Sequence, residues 1–503
     1  MADTVADSKL EHTAEAYSDD GESLKINEKA LLRKLDMRLL PALTLLYLLS
    51  FLDRSNVGNA KLEGLTKDLN MTGNQYLLTL TLYFVGYVIF EVCRSSSPWS
   101  AADRFADETN QSQIPCNIIL KRTSPRAWLP TLTLLWGIVA TLMGISQTFA
   151  GFVVVRFFLG ATESGLFPGV VFYLSMWYKR NEQHYRVALF FSAASLAGAF
   201  GGILAYGIAH MDGVGGQRGW RWIFILEGLL TVVVSIGAYF FVHNYPATAS
   251  FLSTEERTFI TARLKADSDA TQDEAFTWYN VSTALKDPKV WLYGLGFHTM
   301  SLPLYTLSLF LPTIITELGY TAAQAQLLTV PPYAVATILT ISVAVASERL
   351  RLRAVFIMAS STVAAIGYIM LLSSGKPSVS YVGIFFAAGG IYPATALVLS
   401  WPANNVSGQT KRATANAMQI SIGNLGAVMG TQLYRPAWAP RFFVGHGMAL
   451  AYLLGNIVVV GTLWIILRRE NKRRDEVMAS VAGQSVEGGD WRGDEDIRWR
   501  FQT

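Results

Sequence analysis

Two pairs of oppositely charged residues stand inside apolar runs of this sequence, where ionisable side chains are uncommon. Asp53 and Arg54 are adjacent in FLDRSNVGNA, which begins at Phe51, and Arg156 and Glu163 lie in RFFLGATESGLFPG. Within hydrocarbon each such group costs several kcal/mol unless it has a partner or faces a water-filled cavity. The pairs therefore predict a polar site inside a membrane that binds substrate or couples an ion; the alternative is a structural ion pair.

The spacing on the second segment indicates how these groups are arranged. Arg156 and Glu163 are seven residues apart, so an α-helix places them on one face about 10 Å apart along its axis. Gly160 lies between them and predicts open space above the backbone. The charges of the four groups cancel, and protonating one carboxylate leaves an arginine uncompensated. Such a site then favours a substrate anion, which is a physical route to joint transport of protons and an anion.

Polar residues inside apolar runs of the second half of the chain give weaker candidates. His298 lies in one run, and Asn416 and Gln419 lie in another. We predict that these three side chains face the substrate; the alternative for the amides is that they join neighbouring helices. His298 has no second histidine or carboxylate at ligand spacing, so we expect no metal site.

Motifs of other function classes do not occur in the sequence. There is no GxxxxGK[ST] loop, which argues against a pump driven by ATP. No nucleophile–base pair is visible, so we expect neither an enzyme nor a cofactor. The net charge of +4 is small for 503 residues, which argues against a nucleic acid partner.

The composition predicts that these residues are positioned by membrane helices. The chain is 51% hydrophobic and 16% charged, whereas soluble domains carry about 25% charged residues. Apolar runs near the ~20 residues that span hydrocarbon recur in two sets of six, separated by a polar linker. The predicted spans are 39–60, 76–92, 129–148, 149–178, 187–209, 222–242, 290–315, 327–346, 355–373, 379–401, 413–434 and 448–467.

Basic residues indicate the orientation of these spans. Clusters of Lys and Arg precede the first span and follow every second one, and such clusters concentrate on the cytoplasmic side. We therefore predict that both termini are cytoplasmic. The predicted organisation is a cytoplasmic tail 1–38, a six-helix bundle 39–242, a cytoplasmic linker 243–289, a second bundle 290–468 and a cytoplasmic tail 469–503. Beyond Arg474 we expect the last tail to be disordered, because it is rich in Gly and charge.

Two local patterns predict how parts of the chain fold and pack. Ser253-Thr-Glu-Glu-Arg257 in the linker is typical of a capped helix start. Small-residue faces on the fifth and eleventh spans predict close helix packing. Their glycines are Gly198, Gly201, Gly202, Gly207, Gly423, Gly426 and Gly430.

In these segments the sequence resembles the fungal branch of the anion:cation symporter family, which includes allantoate and nicotinate permeases. The resemblance runs from about Leu31 to Asp475, except for the stretch 93–114. Besides the two segments above, its specific segments are GWRWIFILEG from Gly219, SWPANNVSGQTKRATANAMQISIGNLGA from Ser400 and TQLYRPAWAPRFFVGHG from Thr431.

The resemblance implies a fold, an activity and residue roles. It implies the all-α major facilitator fold, with twelve helices in two six-helix bundles and a central site that opens to each side in turn. It implies proton-coupled symport of a small organic anion such as a carboxylate, a vitamin or a nitrogenous acid. Carried over, Asp53 and Glu163 would handle protons, and Arg54 and Arg156 would bind the anion. The Gly-Pro pattern of antiporter families is absent from 192–207, which favours symport.

Two alternatives share this fold and site: a facilitator without proton coupling and a nutrient sensor that does not transport. A pH jump during substrate uptake separates the first from a symporter, and the short tails argue against the second. We expect the protein to be a monomer in the lipid bilayer of the plasma membrane, with the vacuolar membrane as the alternative.

The polar segment 93–114 interrupts the second predicted span. The family's usual sequence there is continuous, FEVPCN or close to it. Val92-Cys93 can be encoded as GTATGT, a splice donor, Thr109-Asn110 as ACTAAC, a branch point, and Gln113 as CAG, an acceptor. We interpret the segment as a retained intron; the alternative is a genuine cytoplasmic loop insertion.

This interpretation predicts spliced transcripts in which Glu91 is followed directly by Ile114. A product that keeps the segment should be misfolded or inactive, because Arg94, Asp103 and Glu108 cannot stay in lipid. Sequencing the gene and its transcripts checks the prediction. A coding sequence that lacks the donor and acceptor, with every mature transcript keeping the segment, would contradict it.

Overall fold

A computed structural model describes residues 13–17, 23–96, 124–267, 278–480 and 493–503. The predicted insertion 93–114 lies outside these residues, apart from the backbone of 93–96, which continues a helix. A hairpin of β1 Thr13–Tyr17 and β2 Ser23–Asn27 comes first. The helices up to the linker are α1 Glu28–Ser55, α2 Val57–Leu62, α3 Leu65–Asp68, α4 Gly73–Ser96, α5 Pro125–Gly144, α6 Phe149–Glu163, α7 Leu166–Ser175, α8 Arg180–Ala209 and α9 Gly219–Phe241.

The helices of the linker and of the second half follow in the same way. They are α10 Thr254–Asp267, α11 Trp278–Lys286, α12 Pro288–Glu317, α13 Ala322–Leu328, α14 Val330–Leu350, α15 Arg353–Ser373, α16 Pro377–Ser400, α17 Pro402–Asn405, α18 Gln409–Gly430 and α19 Phe443–Ser480. Short 3₁₀ turns cover Val214–Gly216, Pro246–Thr248, Pro436–Trp438 and Gly493–Glu495.

Ten helical segments of the described chain are long and apolar enough to cross a membrane. Two further long helices, α4 and α18, pack among them. The structure is therefore an all-α membrane fold. The count of twelve spans and the cytoplasmic placement of both termini stay predictions, and the limits of bundles, linker and tails stay a proposal.

The long helices pack in two groups. In the first bundle α1, α4, α5, α6, α8 and α9 contact one another, and in the second bundle α12, α14, α15, α16, α18 and α19 do so. The two bundles meet mainly where α8 packs on α14 and where α4 packs on α18. This arrangement leaves the central faces of α1 and α12 opposite each other.

Most of the predicted glycine contacts are confirmed at these packing surfaces. A Cβ on Gly198 would lie 2.7 Å from the Tyr333 ring of α14, and one on Gly426 would clash with the His298 carbonyl of α12. Gly207 is the exception, because nothing lies within 4 Å of its position. The small residues thus allow α8 and α18 to approach their neighbours closely.

Helix α1 begins eleven residues before the predicted first span. The Asn27 side chain caps it by accepting a hydrogen bond from the Ala30 N–H at 3.1 Å. The polar extension is held because it forms ion pairs with α8 and α10, which the sequence pattern does not reveal. These pairs are Lys34–Glu256 at 2.7 Å, Asp36–Arg186 at 2.6 Å and Glu28–Arg263 at 2.5 Å.

The predicted helix start in the linker is confirmed. The Ser253 hydroxyl accepts from the Glu256 N–H at 3.1 Å, and the Glu256 carboxylate accepts from the Ser253 N–H at 2.8 Å. This reciprocal pair is a capping box, and it satisfies two backbone donors at the start of α10.

The prediction of a disordered last tail is wrong for residues 493–503, which we call the docked segment. Its Asp494 carboxylate accepts from the buried Lys411 ammonium at 2.7 Å. The Arg474 guanidinium donates to the backbone carbonyls of Asp494 and Trp499 at 2.9 and 3.2 Å. Asn405 pairs with the backbone of the docked segment in both directions, at 2.9 and 2.7 Å. Specific polar partners therefore order a segment whose composition suggests disorder.

The docked segment gives a stability prediction. Asp494→Ala should lower the free energy of unfolding by about 1–3 kcal/mol, because the buried Lys411 ammonium loses its shortest partner and keeps Asp287 at 3.4 Å. The matched control is Glu495→Ala, since Glu495 is exposed and should change stability by less than about 0.5 kcal/mol. Thermal unfolding of the purified proteins in lipid checks both. Equal melting temperatures for the two variants would contradict the prediction.

Candidate functional site

The centre of the molecule is built around a buried ion pair between Arg54 of α1 and Glu163 at the end of α6. Both side chains are almost fully buried. The Glu163 carboxylate also accepts from the Ser50 hydroxyl, one turn before Arg54 on α1, and from the Tyr83 hydroxyl of α4 at 2.5 Å. Residues four apart on a helix share a face, so Ser50 and Arg54 reach the same carboxylate. Three donors from two helices hold Glu163.

Aromatic rings surround the Arg54 guanidinium. Its central carbon lies 5.4 to 5.7 Å from the ring centroids of Phe51, Tyr83, Tyr87 and Tyr305. Arg54 also donates a 2.7 Å hydrogen bond to the Tyr305 hydroxyl of α12. Rings within about 6 Å attract a cation through their negative faces. Arg54 is therefore a charged residue that contacts both bundles at once.

Asp53 does not join this ion pair, although it is the next residue to Arg54. Its carboxylate accepts from the Trp136 indole N–H of α5 at 3.2 Å and from the Thr231 hydroxyl of α9 at 2.9 Å. Consecutive residues of an α-helix point about 100° apart, so Asp53 faces the interior of the first bundle. The structure thus divides the four predicted charges between two places.

Arg156 lies nearly two helix turns before Glu163, at the interior of the first bundle. It is 1% exposed, and its Nε and Nη2 atoms have no hydrogen-bond partner among the described residues. The rings of Phe152 and Phe224 lie 5.7 and 5.9 Å from the guanidinium carbon. Glu163 and Asp53 are the carboxylates whose charge acts on it. Arg156 thus has donor capacity that no described group uses.

The prediction of open space above Gly160 is wrong. A Cβ at Gly160 would clash with the backbone carbonyl of Tyr83, and one at Gly86 would clash with the carbonyl of Phe157. The backbone of α4 occupies the groove that the glycines leave on α6. This close approach carries the Tyr83 hydroxyl to Glu163, so Gly160 supports the site by packing.

The three candidates of the second bundle are not brought to the ion pair. His298 hydrogen-bonds through Nδ1 to the Ile422 carbonyl at 2.9 Å, between α12 and α18. Gln419 donates to the Val398 carbonyl of α16 at 2.8 Å. Asn416 has a buried Oδ1 atom with no partner among the described residues. A substrate-facing role for these residues stays a prediction, and the contacts of His298 and Gln419 join helices.

Two buried carboxyl groups were missed at the level of sequence, Glu91 on α4 and Glu227 on α9. Neither has a hydrogen-bond partner for its oxygens among the described residues, and the Asn424 amide is the polar neighbour of Glu91. Both stand inside apolar runs, and Glu227 belongs to GWRWIFILEG. The argument that selected Asp53 applies equally to them, so the signal was present. Nothing in the sequence marks the aromatic residues around Arg54 as site residues in this way. Tyr305 is the exception, because it lies in the same predicted span as the candidate His298.

A cavity of about 220 Å³ opens near the end of α2. It is lined by residues of both bundles, including Lys61, Tyr76 and Tyr434. None of the predicted site residues lines it. The Lys61 ammonium lies 5.0 Å from the Tyr76 ring centroid and 3.4 Å from the Thr313 hydroxyl of α12.

A match to a family model identifies the kind of protein that has this fold. The model of the Major Facilitator Superfamily matches residues 112–431. The chain belongs to the Major Facilitator Superfamily.

Relatives and solved structures agree with this assignment. The MFS-type transporter cnsO of Penicillium expansum is 39% identical over 89% of this chain and 85% of the relative. The high-affinity nicotinic acid transporter of Saccharomyces cerevisiae is 31% identical over 90% of this chain and 80% of the relative. The inward-facing, unoccupied structure of a bacterial homologue of the human lysosomal transporter Spinster has a TM-score of 0.62 at 14% identity, covering 85% of this chain and 95% of that chain.

A second solved structure, the proton:xylose symporter XylE bound to a glucose analogue, has a TM-score of 0.59 at 14% identity. It covers 85% of this chain and 96% of that chain. Likeness at this identity shows the fold alone. Together with the family match, it makes this chain a multi-pass membrane transporter of the major facilitator fold and not an enzyme.

The close contact of α4 and α6 gives a prediction for Gly160→Ala. The added methyl group should lower the free energy of unfolding by about 1–3 kcal/mol, because it forces α4 away from α6. Gly207→Ala is the matched control, since its position has open space. Thermal unfolding and the yield of folded protein measure both variants. If Gly160→Ala unfolds at the wild-type temperature, the contact is looser than described.

Proposed function

We propose that this chain is a proton-coupled symporter of a small organic anion, from the anion:cation symporter branch of the superfamily. The observation that carries the proposal is the position of Arg54. It is buried between the two bundles, paired with Glu163 of the first bundle and hydrogen-bonded to Tyr305 of the second. An anion that binds there contacts the groups that hold the bundles together.

The ion pair supplies a mechanism for coupling. When Glu163 binds a proton, its charge no longer neutralises Arg54, and a buried unpaired arginine is unfavourable. A substrate carboxylate then replaces Glu163 as the partner, and the guanidinium fork suits two carboxylate oxygens. The site carries no net charge with both ligands bound, which permits the change of access.

Other residues have supporting roles in this proposal. Asp53 is the second proton-binding carboxylate, and Arg156 binds the anion or balances charge along the path, since two of its nitrogens are unpartnered. Asn416, Gln419 and His298 are secondary candidates for contacts to the substrate. No cofactor or metal is required by this chemistry.

The site and the relatives support a proposal for the substrate class. One guanidinium in an aromatic surround suits a small carboxylate with an apolar or aromatic body. One relative is a nicotinic acid transporter, so nicotinate is the first probe. We place the protein in the plasma membrane as a monomer.

Glu163→Gln tests the proposal. In liposomes containing purified protein, an inward proton gradient should drive nicotinate accumulation in the parent chain. Glu163→Gln should reduce that accumulation about tenfold or more, because coupling between proton and anion is lost. Counterflow of nicotinate, which needs no net proton movement, should survive in part. The parent for both measurements is the chain without residues 92–113.

Two further variants and a control complete the experiment. Arg54→Lys and Arg156→Lys should weaken apparent affinity, since lysine lacks the bidentate fork. Glu317→Gln, at an exposed position, should behave as the parent does. Uptake in the parent that ignores the proton gradient would indicate an uncoupled facilitator, and binding without counterflow would indicate a sensor. Full accumulation by Glu163→Gln would show that this residue does not carry the proton.

A further inference from the structure

Glu227 of α9 is a buried carboxyl group without a use in the mechanism above. It is 2% exposed, and neither carboxylate oxygen has a hydrogen-bond partner among the described residues. An ionised carboxylate in such a place lacks both water and a donor, which is strongly unfavourable. The neutral, protonated acid is the state that this environment accommodates.

The surroundings of Glu227 contain one carboxylate that acts on it, Asp53 of α1. Thr231 stands one turn after Glu227 on the same face of α9 and donates to Asp53 at 2.9 Å. Side chains four residues apart on a helix are neighbours, so Asp53 and Glu227 occupy adjacent levels of the same interior. Among the described residues, Asp53 accepts from two donors and Glu227 from none.

Helices α1, α2, α5 and α8 pack against α9, and each contributes a charged group that is bonded to a residue other than Glu227. Arg54 of α1 is paired with Glu163, and Lys61 of α2 bonds Thr313. Arg126 of α5 donates to the Tyr239 carbonyl at the other end of α9, and Arg186 of α8 is paired with Asp36. On α9 itself Arg221 is paired with Asp68. The positive charge of Arg156, on α6, acts on the Asp53 carboxylate.

We propose that Asp53 and Glu227 form a carboxyl pair that shares one transported proton, held on Glu227 in the conformation described here. This inference rests on the proposed function and extends it. Two carboxyl groups at adjacent levels of a low-dielectric interior do not ionise together in this conformation, so the proton belongs to the pair and not to either residue. It leaves when the change of access exposes the pair to water. Asp53, with two donors and the Arg156 charge near it, takes the ionised form.

The pair sets the charge balance of transport. One proton on Glu163 and one on the pair, moving with one monocarboxylate, carry a net charge of +1 per cycle. Without the pair's proton, the cycle is electroneutral. Uptake by the parent chain should therefore respond to membrane potential as well as to the pH gradient.

A transport measurement with nicotinate tests the proposal. An inside-negative potential of about 100 mV should raise limiting accumulation in the parent chain about 50-fold, equivalent to the ~2.3 kcal/mol that one net charge gains. Glu227→Gln, which resembles the neutral acid and should fold, should lose this response and keep the response to the pH gradient. Asp53→Asn should lose it too, and Glu317→Gln, at an exposed position, should keep it.

A second measurement needs no substrate. Infrared titration of purified protein in lipid should show a protonated carboxylic acid C=O absorption that Glu227→Gln lacks and Glu317→Gln retains. Identical spectra for the parent and Glu227→Gln, or a potential response that Glu227→Gln keeps while Asp53→Asn loses it, would overturn the proposal. Parent uptake that is driven by pH but not by potential would also overturn it and leave the symport function standing. Parent uptake that ignores the pH gradient would instead refute the symport function, and the infrared result would then decide whether Glu227 holds a proton.

Discussion

The burial of the Arg54–Glu163 ion pair between two helical bundles constrains much of the surrounding structure. A guanidinium removed from water is tolerated because a carboxylate, a phenol oxygen and four aromatic rings surround it. Those partners come from α1, α4, α6 and α12, so the helices must approach closely enough to deliver them. The glycines at 86 and 160 allow α4 to reach α6, and Tyr83 reaches Glu163 as a result.

The same arrangement suits a centre that responds to a ligand, as the proposed function requires. Each partner of Arg54 is polar or polarisable, and one of them belongs to the opposite bundle. A change in the charge of Glu163 alters the electrostatic interactions of Arg54, which contacts both bundles. A protein with this geometry can link proton binding, anion binding and bundle contact through one residue, as the proposed symport requires.

Charged residues at the ends of the helices have a different role. Lys34 and Arg186 belong to the basic clusters from which orientation is predicted, and in the structure they pair with acids of α10 and α1. Arg263 of the linker pairs with an acid of α8. Lys411 and Arg474 hold the docked segment in the same manner. Basic residues at these ends can therefore mark orientation and also fasten the linker and the docked segment to the bundles, which a count of charges does not distinguish.

The sequence by itself determined the helical membrane class and the elements that carry charge, because hydrophobic length and isolated ionisable residues are local properties. It identified Asp53, Arg54, Arg156 and Glu163, and the box at Ser253. Only the tertiary structure decided which of these groups meet. Because consecutive residues of a helix point in different directions, Asp53 bonds Trp136 and Thr231, whereas Arg54 bonds Tyr305. It also decided that α4 fills the space above Gly160, that residues 493–503 dock, and that Asp53 bonds Thr231, one turn after Glu227 on α9. These outcomes depend on contacts between residues far apart in the chain, and spacing along a single helix does not encode them.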